Sequence, residues 1–256
     1  MDSSSGQVRI ERIGELLAIT LARPEKKNAL SAPMYRALAE ALRLASTEQS
    51  VHAVLVDADG DDFCAGNDIA DFVAQARSGQ GFENSEVSLF VRALAGFDKP
   101  LVAAVRGRAV GIGTTMLLHC DLVYVADNAR LSTPFVDLGL VPEAASSVLL
   151  PARLGHVRAF AMFALGEAID GQAAAACGLA NAALPADEVT PRARTAAIAL
   201  AARPAQALQA TKKLMRAQGG IQAVIEAEGR EFAQRLGSAE ARMAFQAFLA
   251  RRGPAA

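Results

Sequence analysis

Val105-Arg-Gly-Arg-Ala-Val-Gly-Ile-Gly-Thr-Thr-Met-Leu-Leu-His-Cys-Asp121, fed by the apolar run Leu101 to Val105, decides how the chain is read. A short buried strand enters a turn with glycines at 107, 111 and 113, and a helical apolar run, Thr114 to Cys120, leaves it. Glycine ahead of a helix leaves backbone N–H groups bare, and the helix dipole makes that end attractive to negative charge. The spacing fits neither the G-x-G-x-x-G of a dinucleotide site nor the G-x-x-x-x-G-K-[ST] of a P-loop. Two readings stay open here: a turn that needs glycine for close packing, or a cradle for an oxyanion that forms during a reaction.

A second turn of the same kind, Phe63-Cys-Ala-Gly-Asn-Asp-Ile-Ala-Asp-Phe72, follows the buried run Val51 to Asp57 and opens a helix expected from Asp68 to about Arg77. Strand, glycine turn and helix therefore recur at 51–77 and 101–120. Such weak repetition predicts an α/β coil of ββα units rather than a doubly wound sheet. Around these units, Val8 to Ala22 reads as a β-hairpin turning at Gly14-Glu15. Pro24 and its charged neighbours break the second strand, and Ser31 is placed to cap a helix running to about Ser46. Ser78 to Asn84 reads as a flexible break before a helix from Glu86 to Phe97. Leu122 to Ala126 is a strand, Ala129 to Glu143 a long crossing segment, and Ala144 to Leu154, Val157 to Leu165 and Gln172 to Cys177 are helical. Past Pro185, two alanine-rich helical stretches, Val189 to Ala217 and Gln222 to Arg251, divide at Gly219-Gly220. The expected organisation is a core over 1–188 and a helical region over 189–256, which would dock on a partner subunit.

The 256 residues can bury a large core, and 26 basic against 27 acidic residues give no whole-chain signal for nucleic acid or a membrane surface. No apolar run reaches the roughly 20 residues of a membrane helix. Met1 to Gln7 lacks the form of a signal peptide, so a cytoplasmic protein is expected. Cys64, Cys120 and Cys177 are odd in number and far apart, which supports neither a disulfide framework nor a zinc site. His52, His119 and His156 are equally isolated and read as structural. The turn Asp57 to Asp62 does not continue as a calcium loop.

If the two glycine turns face one cleft, they supply two backbone donors to one oxygen, the requirement for stabilising the enolate of a thioester. Arg23-Pro-Glu-Lys-Lys-Asn-Ala-Leu30, Phe63-Cys-Ala-Gly-Asn-Asp-Ile69, Ala104-Val-Arg-Gly-Arg-Ala-Val-Gly-Ile-Gly113, Cys120-Asp121 and Leu138-Gly-Leu-Val-Pro142 together resemble the crotonase superfamily, the enoyl-CoA hydratase/isomerase proteins, over about residues 8–250. The resemblance implies a spiral of ββα units with a helical C-terminal region, assembled as a homotrimer or a dimer of trimers. It implies that Asn67 N–H and Ile112 N–H form the oxyanion hole for an acyl-CoA thioester. Ala65, Gly66, Asp68 and Ile69, together with Gly111 and Lys27, are implied to contact the substrate, and no metal or redox cofactor is implied.

Hydratases of the family hold water with two glutamates. Thr115 and Phe135 stand at those two positions here, and neither exchanges a proton near neutral pH. Both are expected to line the substrate site and keep it dry. Glu143, in Gly139-Leu-Val-Pro-Glu-Ala-Ala-Ser-Ser147, is the carboxylate left in a suggestive place; by position alone it also suits a solvated first-turn glutamate. Its segment resembles the peroxisomal-type Δ3,Δ2-enoyl-CoA isomerases of fatty-acid breakdown, in which the glutamate at this position is the catalytic base. The expected activity is therefore that isomerisation. A hydratase or lyase using Asp137 or Glu143 is the alternative, and a non-catalytic acyl-CoA-binding protein the third reading. Asp68 reads as a helix cap, Asp121 as a partner for local backbone donors, and Cys64 as a buried small side chain. Arg23, Lys26, Lys27, Lys212 and Lys213 read as solvated surface charges, with contact to CoA phosphates as the alternative.

Overall fold

Two sheets carry the fold, and the fourth to seventh strands alternate between them. The computed structural model describes residues 6–72, 85–216 and 220–252. The larger sheet holds six strands in the order β1 (Val8–Ile13), β2 (Leu16–Leu21), β3 (Ala53–Ala58), β4 (Leu101–Val105), β6 (Leu122–Ala126) and β9 (Ala182–Leu184). β1 and β2 form the expected antiparallel hairpin, and every later pairing is parallel. The smaller sheet pairs β5 (Arg108–Val110) with β7 (Arg130–Ser132) and β7 with β8 (Ile169–Asp170). The chain runs from β4 to β5 and from β6 to β7, placing one strand in each sheet at each pass. This is the spiral of ββα units that the recurrence predicts. β2, β3 and β4 are buried along their whole length, as central strands covered on both faces must be.

Several boundaries differ from the sequence expectation for identifiable reasons. The glycine turn after β4 is not one turn. Gly107 and Gly111 make two bends with β5 between them, each at positive φ (57° and 56°). The apolar run beyond is a single α-turn, α3 (Ile112–Thr115), continuing as a 3-10 turn over 116–119, since the chain must reverse quickly into β6. The crossing segment hides β7 and a 3-10 turn at 136–138. Strand β3 begins two residues later than the apolar run and takes in Ala58. Ser31 stands at the N-cap of α1 (Ala32–Thr47) without capping it. Its hydroxyl donates to Gln7 Oε1 at 3.2 Å, and the first helical amide, Ala32 N–H, goes to Asp71 at 2.9 Å.

The helix α2 (Glu86–Ala95) packs on α1, and α4 (Ser146–Leu154), α5 (His156–Ala164) and α6 (Gly171–Ala176) follow the crossing segment. The two C-terminal helical stretches are four helices: α7 (Ala186–Ala201), α8 (Ala205–Arg216), α9 (Ile221–Leu236) and α10 (Ala239–Arg252). Pro204 and Gly237 interrupt what composition alone joins. α7 covers β3, β4 and β6, while α9 reaches back to α2 and α10 to the 136–138 turn. The expected helix beyond Phe72 and the break at Ser78 to Asn84 lie outside the described residues.

Candidate active site

The first glycine turn is held from both sides. Asn28, buried and at positive φ (54°), ties the preceding loop together. Its Oδ1 accepts Arg23 N–H at 2.8 Å, and its Nδ2 donates to Asp59 O and Asp62 O at 2.9 and 2.8 Å. That loop then binds the turn: Ala65 N–H donates to Lys27 O, Leu30 N–H to Gly66 O, and Asp68 N–H to Leu30 O. Leu30 thus bridges the residues on either side of Asn67 and leaves the Asn67 amide facing the other way. Asp68 caps the helical residues 69–72 as expected, accepting Ala70 N–H at 3.0 Å, and is also paired with Arg23 at 2.8 Å.

The second turn lies directly against the first. Cys64 bridges Ala109, with Cys64 N–H to Arg108 O at 3.0 Å and Val110 N–H to Cys64 O at 2.9 Å. At Gly113 there is no room for a side chain, because a Cβ would stand 2.7 Å from Cys64 O. At Gly66 it would stand 3.0 Å from Val110 O. The two readings left open for these glycines are therefore not exclusive: close packing is what brings the turns together. Gly111 N–H goes to Ser132 O, and Thr114 and Thr115 N–H go back to Gly111 O. Ile112 supplies the amide at the head of α3. Cys64 is buried, and burial pushes its thiol up to about 12, so it is inert packing, as expected from the sequence.

Glu143 is not a solvated helix-start residue. It is buried, and the helix α4 begins only after Ala144 and Ala145, both at φ 57°. Thr115 Oγ1 donates to Glu143 Oε1 at 2.5 Å, whereas Oε2 has no hydrogen-bond partner among the described residues. Burial pushes the carboxyl up to about 8; the Thr115 hydroxyl opposes this, and the charge of Glu228 adds to it. Tyr35, fully buried on α1, donates its hydroxyl to Asn67 Oδ1, and burial followed by the nearby Glu143 charge raises its own proton affinity.

Two cavities meet this assembly. One of about 980 Å³ is lined by Lys27, Ala65, Gly66, Asn67, Asp68, Ile69, Gly111 and Phe135, the greater part of the predicted substrate-contacting set. Arg23, Lys26 and Asp137 share its wall, and α10 closes it with Phe245 and Phe248. Glu143, Thr115 and Ile112 do not line that cavity. Glu143 lines a second one of about 260 Å³, with Val87, Val91, Ala144 and Ile225. Tyr35 lines neither cavity but interacts with a residue of each, bonded to Asn67 and feeling the charge of Glu143.

The enoyl-CoA hydratase/isomerase family profile matches residues 11–255. The chain belongs to that family. It is 35% identical over 206 residues to enoyl-CoA delta isomerase 2 of Rattus norvegicus, covering 79% of this chain and 52% of that protein. The chain thus spans about half the length of that isomerase. It is 33% identical over 249 residues to a probable enoyl-CoA hydratase of Rhodobacter capsulatus, with 96% of each covered. The solved structure of OdaA from Pseudomonas aeruginosa is similar at a TM-score of 0.91 and 46% identity, over 96% of this chain and 99% of that one. Family and fold agree with the sequence resemblance, and isomerase and hydratase names both occur among the relatives.

One predicted contact is corrected. Lys212 is not a surface charge: it is buried, donating to Lys99 O at 2.5 Å and to Asp121 at 2.7 Å. Asp121 accepts a backbone donor, Leu101 N–H at 2.8 Å, from 20 residues away rather than a local one, and it is also the anchor for α8 through Lys212. Tyr35 and Glu228 carry no motif, and no local signal places them at the site. His119 does hold structure, its Nε2 lying 2.8 Å from Ala144 O. Among the described residues no group of His, Cys, Asp and Glu has the makings of a metal site, and no helix is long and apolar enough to cross a membrane.

Proposed function

We propose that the protein is a Δ3,Δ2-enoyl-CoA isomerase in which Glu143 alone carries the proton. The observation that supports this most is the state of that carboxyl: buried, raised to about 8, anchored through one oxygen by Thr115, with the other oxygen unpartnered among the described residues. A shuttle must give up and regain a proton near working pH, and burial tunes a carboxylic acid to that range. In this reading the CoA portion lies along the large cavity near Lys26 and Lys27. The thioester oxygen takes Asn67 N–H and Ile112 N–H, and the acyl chain passes toward the apolar wall of the small cavity. Glu143 removes a proton from C2 of a 3-enoyl-CoA, and the electron pair moves into the thioester as an enolate. Two fixed amides favour that charge over the ground state, and losing one such donor costs about 2.7–4 kcal/mol of barrier. The protonated Glu143 then delivers the proton to C4, giving the 2-enoyl-CoA. No metal or redox cofactor enters these steps.

Phe135, its ring tilted against that of Phe163 at 6.0 Å, and Thr115 stand at the two positions where the family's hydratases carry their glutamates, which argues against hydration. Asp137 on the large cavity's wall favours the second reading, a hydratase. A side-by-side assay on 3-hexenoyl-CoA and crotonyl-CoA separates them. Conversion of the first alone, lost in Glu143→Gln, is the expected result. Formation of a 3-hydroxyacyl-CoA from the second would overturn the isomerase reading.

A further inference from the structure

Glu143 sits on a strained support. Ala144 and Ala145 both hold φ of 57°, a left-handed conformation that L-residues rarely keep unless their surroundings enforce it. Two side chains from distant elements do so. His119 Nε2 lies 2.8 Å from Ala144 O; burial brings this imidazole down to about 4, so the neutral ring donates there. From α9, Glu228 Oε2 accepts Ala145 N–H at 2.6 Å and its Oε1 accepts Ser147 N–H at 2.9 Å. Glu228 is itself buried, and it lines the same small cavity as Glu143. A buried carboxylate with both oxygens committed to backbone amides is a rigid clamp, well beyond what starting one helix requires.

We propose that Glu228 is a positioning residue for the proton-transfer site, fixing the aim of the Glu143 carboxyl by clamping the left-handed turn that carries it. This rests on Glu143 being the group that moves the proton. The clamp brings a second negative charge close, and like charge disfavours ionisation of Glu143. The other groups facing Glu143 are the Thr115 hydroxyl from α3 and the Tyr35 hydroxyl from α1. Arg92 from α2, with Glu226 and Arg230 from α9, completes the charged wall of the small cavity. Glu228 thus holds the shuttle in place and keeps its proton affinity high, although it touches no reacting atom.

Two substitutions in the full chain separate aim from charge. Glu228→Gln keeps the shape and one accepting oxygen but removes the charge. Glu228→Asp keeps the charge on a stem too short to reach both amides. The readouts are kcat and KM on 3-hexenoyl-CoA across pH, and infrared titration of the Glu143 carboxyl in ligand-free protein, identified by its loss in Glu143→Gln. For Glu228→Gln we expect kcat to fall roughly tenfold to a hundredfold, the scale of a small misplacement, with KM nearly unchanged. The activity midpoint and the infrared midpoint should both move to lower pH. For Glu228→Asp the same loss of kcat is expected with the midpoint kept. Unchanged kcat and midpoints in Glu228→Gln, with only a lower melting temperature, would reduce Glu228 to a helix cap and overturn the proposal. Should Glu228→Gln fail to fold, Glu228→Asp decides: full kcat there overturns the proposal. If Glu143→Gln still isomerises, Glu143 is not the group that moves the proton, and the premise of the clamp fails while the isomerase activity stands. The infrared titration needs no turnover, and an unmoved Glu143 midpoint in Glu228→Gln counts against the proposal.

Discussion

Replacing Glu143 by glutamine keeps the side chain's shape and leaves Oε1 available to the Thr115 hydroxyl, while removing the titrating proton. In the folded protein burial holds this carboxyl at about 8, against an ordinary 4.5. The folded state therefore binds the proton more tightly than the unfolded chain. The stability linked to Glu143 is fully present below about pH 4.5 and is lost as the pH rises through 8. A tenfold change in proton affinity is worth about 1.4 kcal/mol, so ionising Glu143 in place costs about 5 kcal/mol. Glutamine has no such cost. Urea unfolding of both proteins at one protein concentration, from about pH 5 to about pH 9, reads the difference directly. Glu143→Gln should gain several kcal/mol over the unsubstituted protein across that range, with the curves parting mostly between the two values. Parallel curves, or a gain that shrinks as pH rises, would refute the argument that burial controls this carboxyl.

Thr115→Val removes the hydroxyl that stabilises the Glu143 carboxylate, so the kcat/KM midpoint for isomerisation should move above its starting value near 8, as seen in a pH–rate profile. Gly113→Ala would press a methyl group against Cys64 O, 2.7 Å from the new atom, and push the two turns apart. Denaturation should show a loss of about 1–3 kcal/mol, and kcat should fall by roughly a hundredfold. Lys212→Met leaves Asp121 without its buried partner at 2.7 Å. Asp121 is exposed and keeps Arg216 at 3.7 Å, so a loss of about 1–3 kcal/mol in unfolding free energy is expected, with activity per folded molecule retained.

Much of this architecture is legible in the sequence because it rests on local chemistry. Buried apolar runs mark β2 to β4, and glycines at 66, 107, 111 and 113 mark where backbone must approach backbone or take a positive φ. The same residues explain why two turns some 45 positions apart pack directly against each other. What composition misses depends on contacts across long separations. Lys212 looks like one more surface lysine until α8 carries it to Asp121. Glu228 sits in an ordinary helical pattern, and only α9 folding back over α2 brings it to Ala145. Tyr35 reads as a core aromatic on α1, and its hydroxyl gains a role only because Asn67 lies beside it. Glu143 stands between these cases. Its position points to chemistry, but the charge-averse surroundings that suit it to a shuttle come from the whole fold.

The central claim, that one buried carboxyl both removes and returns the proton, is tested most directly by following label. 3-Hexenoyl-CoA carrying deuterium at C2 is isomerised in ordinary water and the product examined by NMR. A carboxyl sheltered as Glu143 is should pass part of the label to C4 of the 2-enoyl product. Product whose new C4 hydrogen comes entirely from solvent, or which carries a 3-hydroxyl group, would contradict the account.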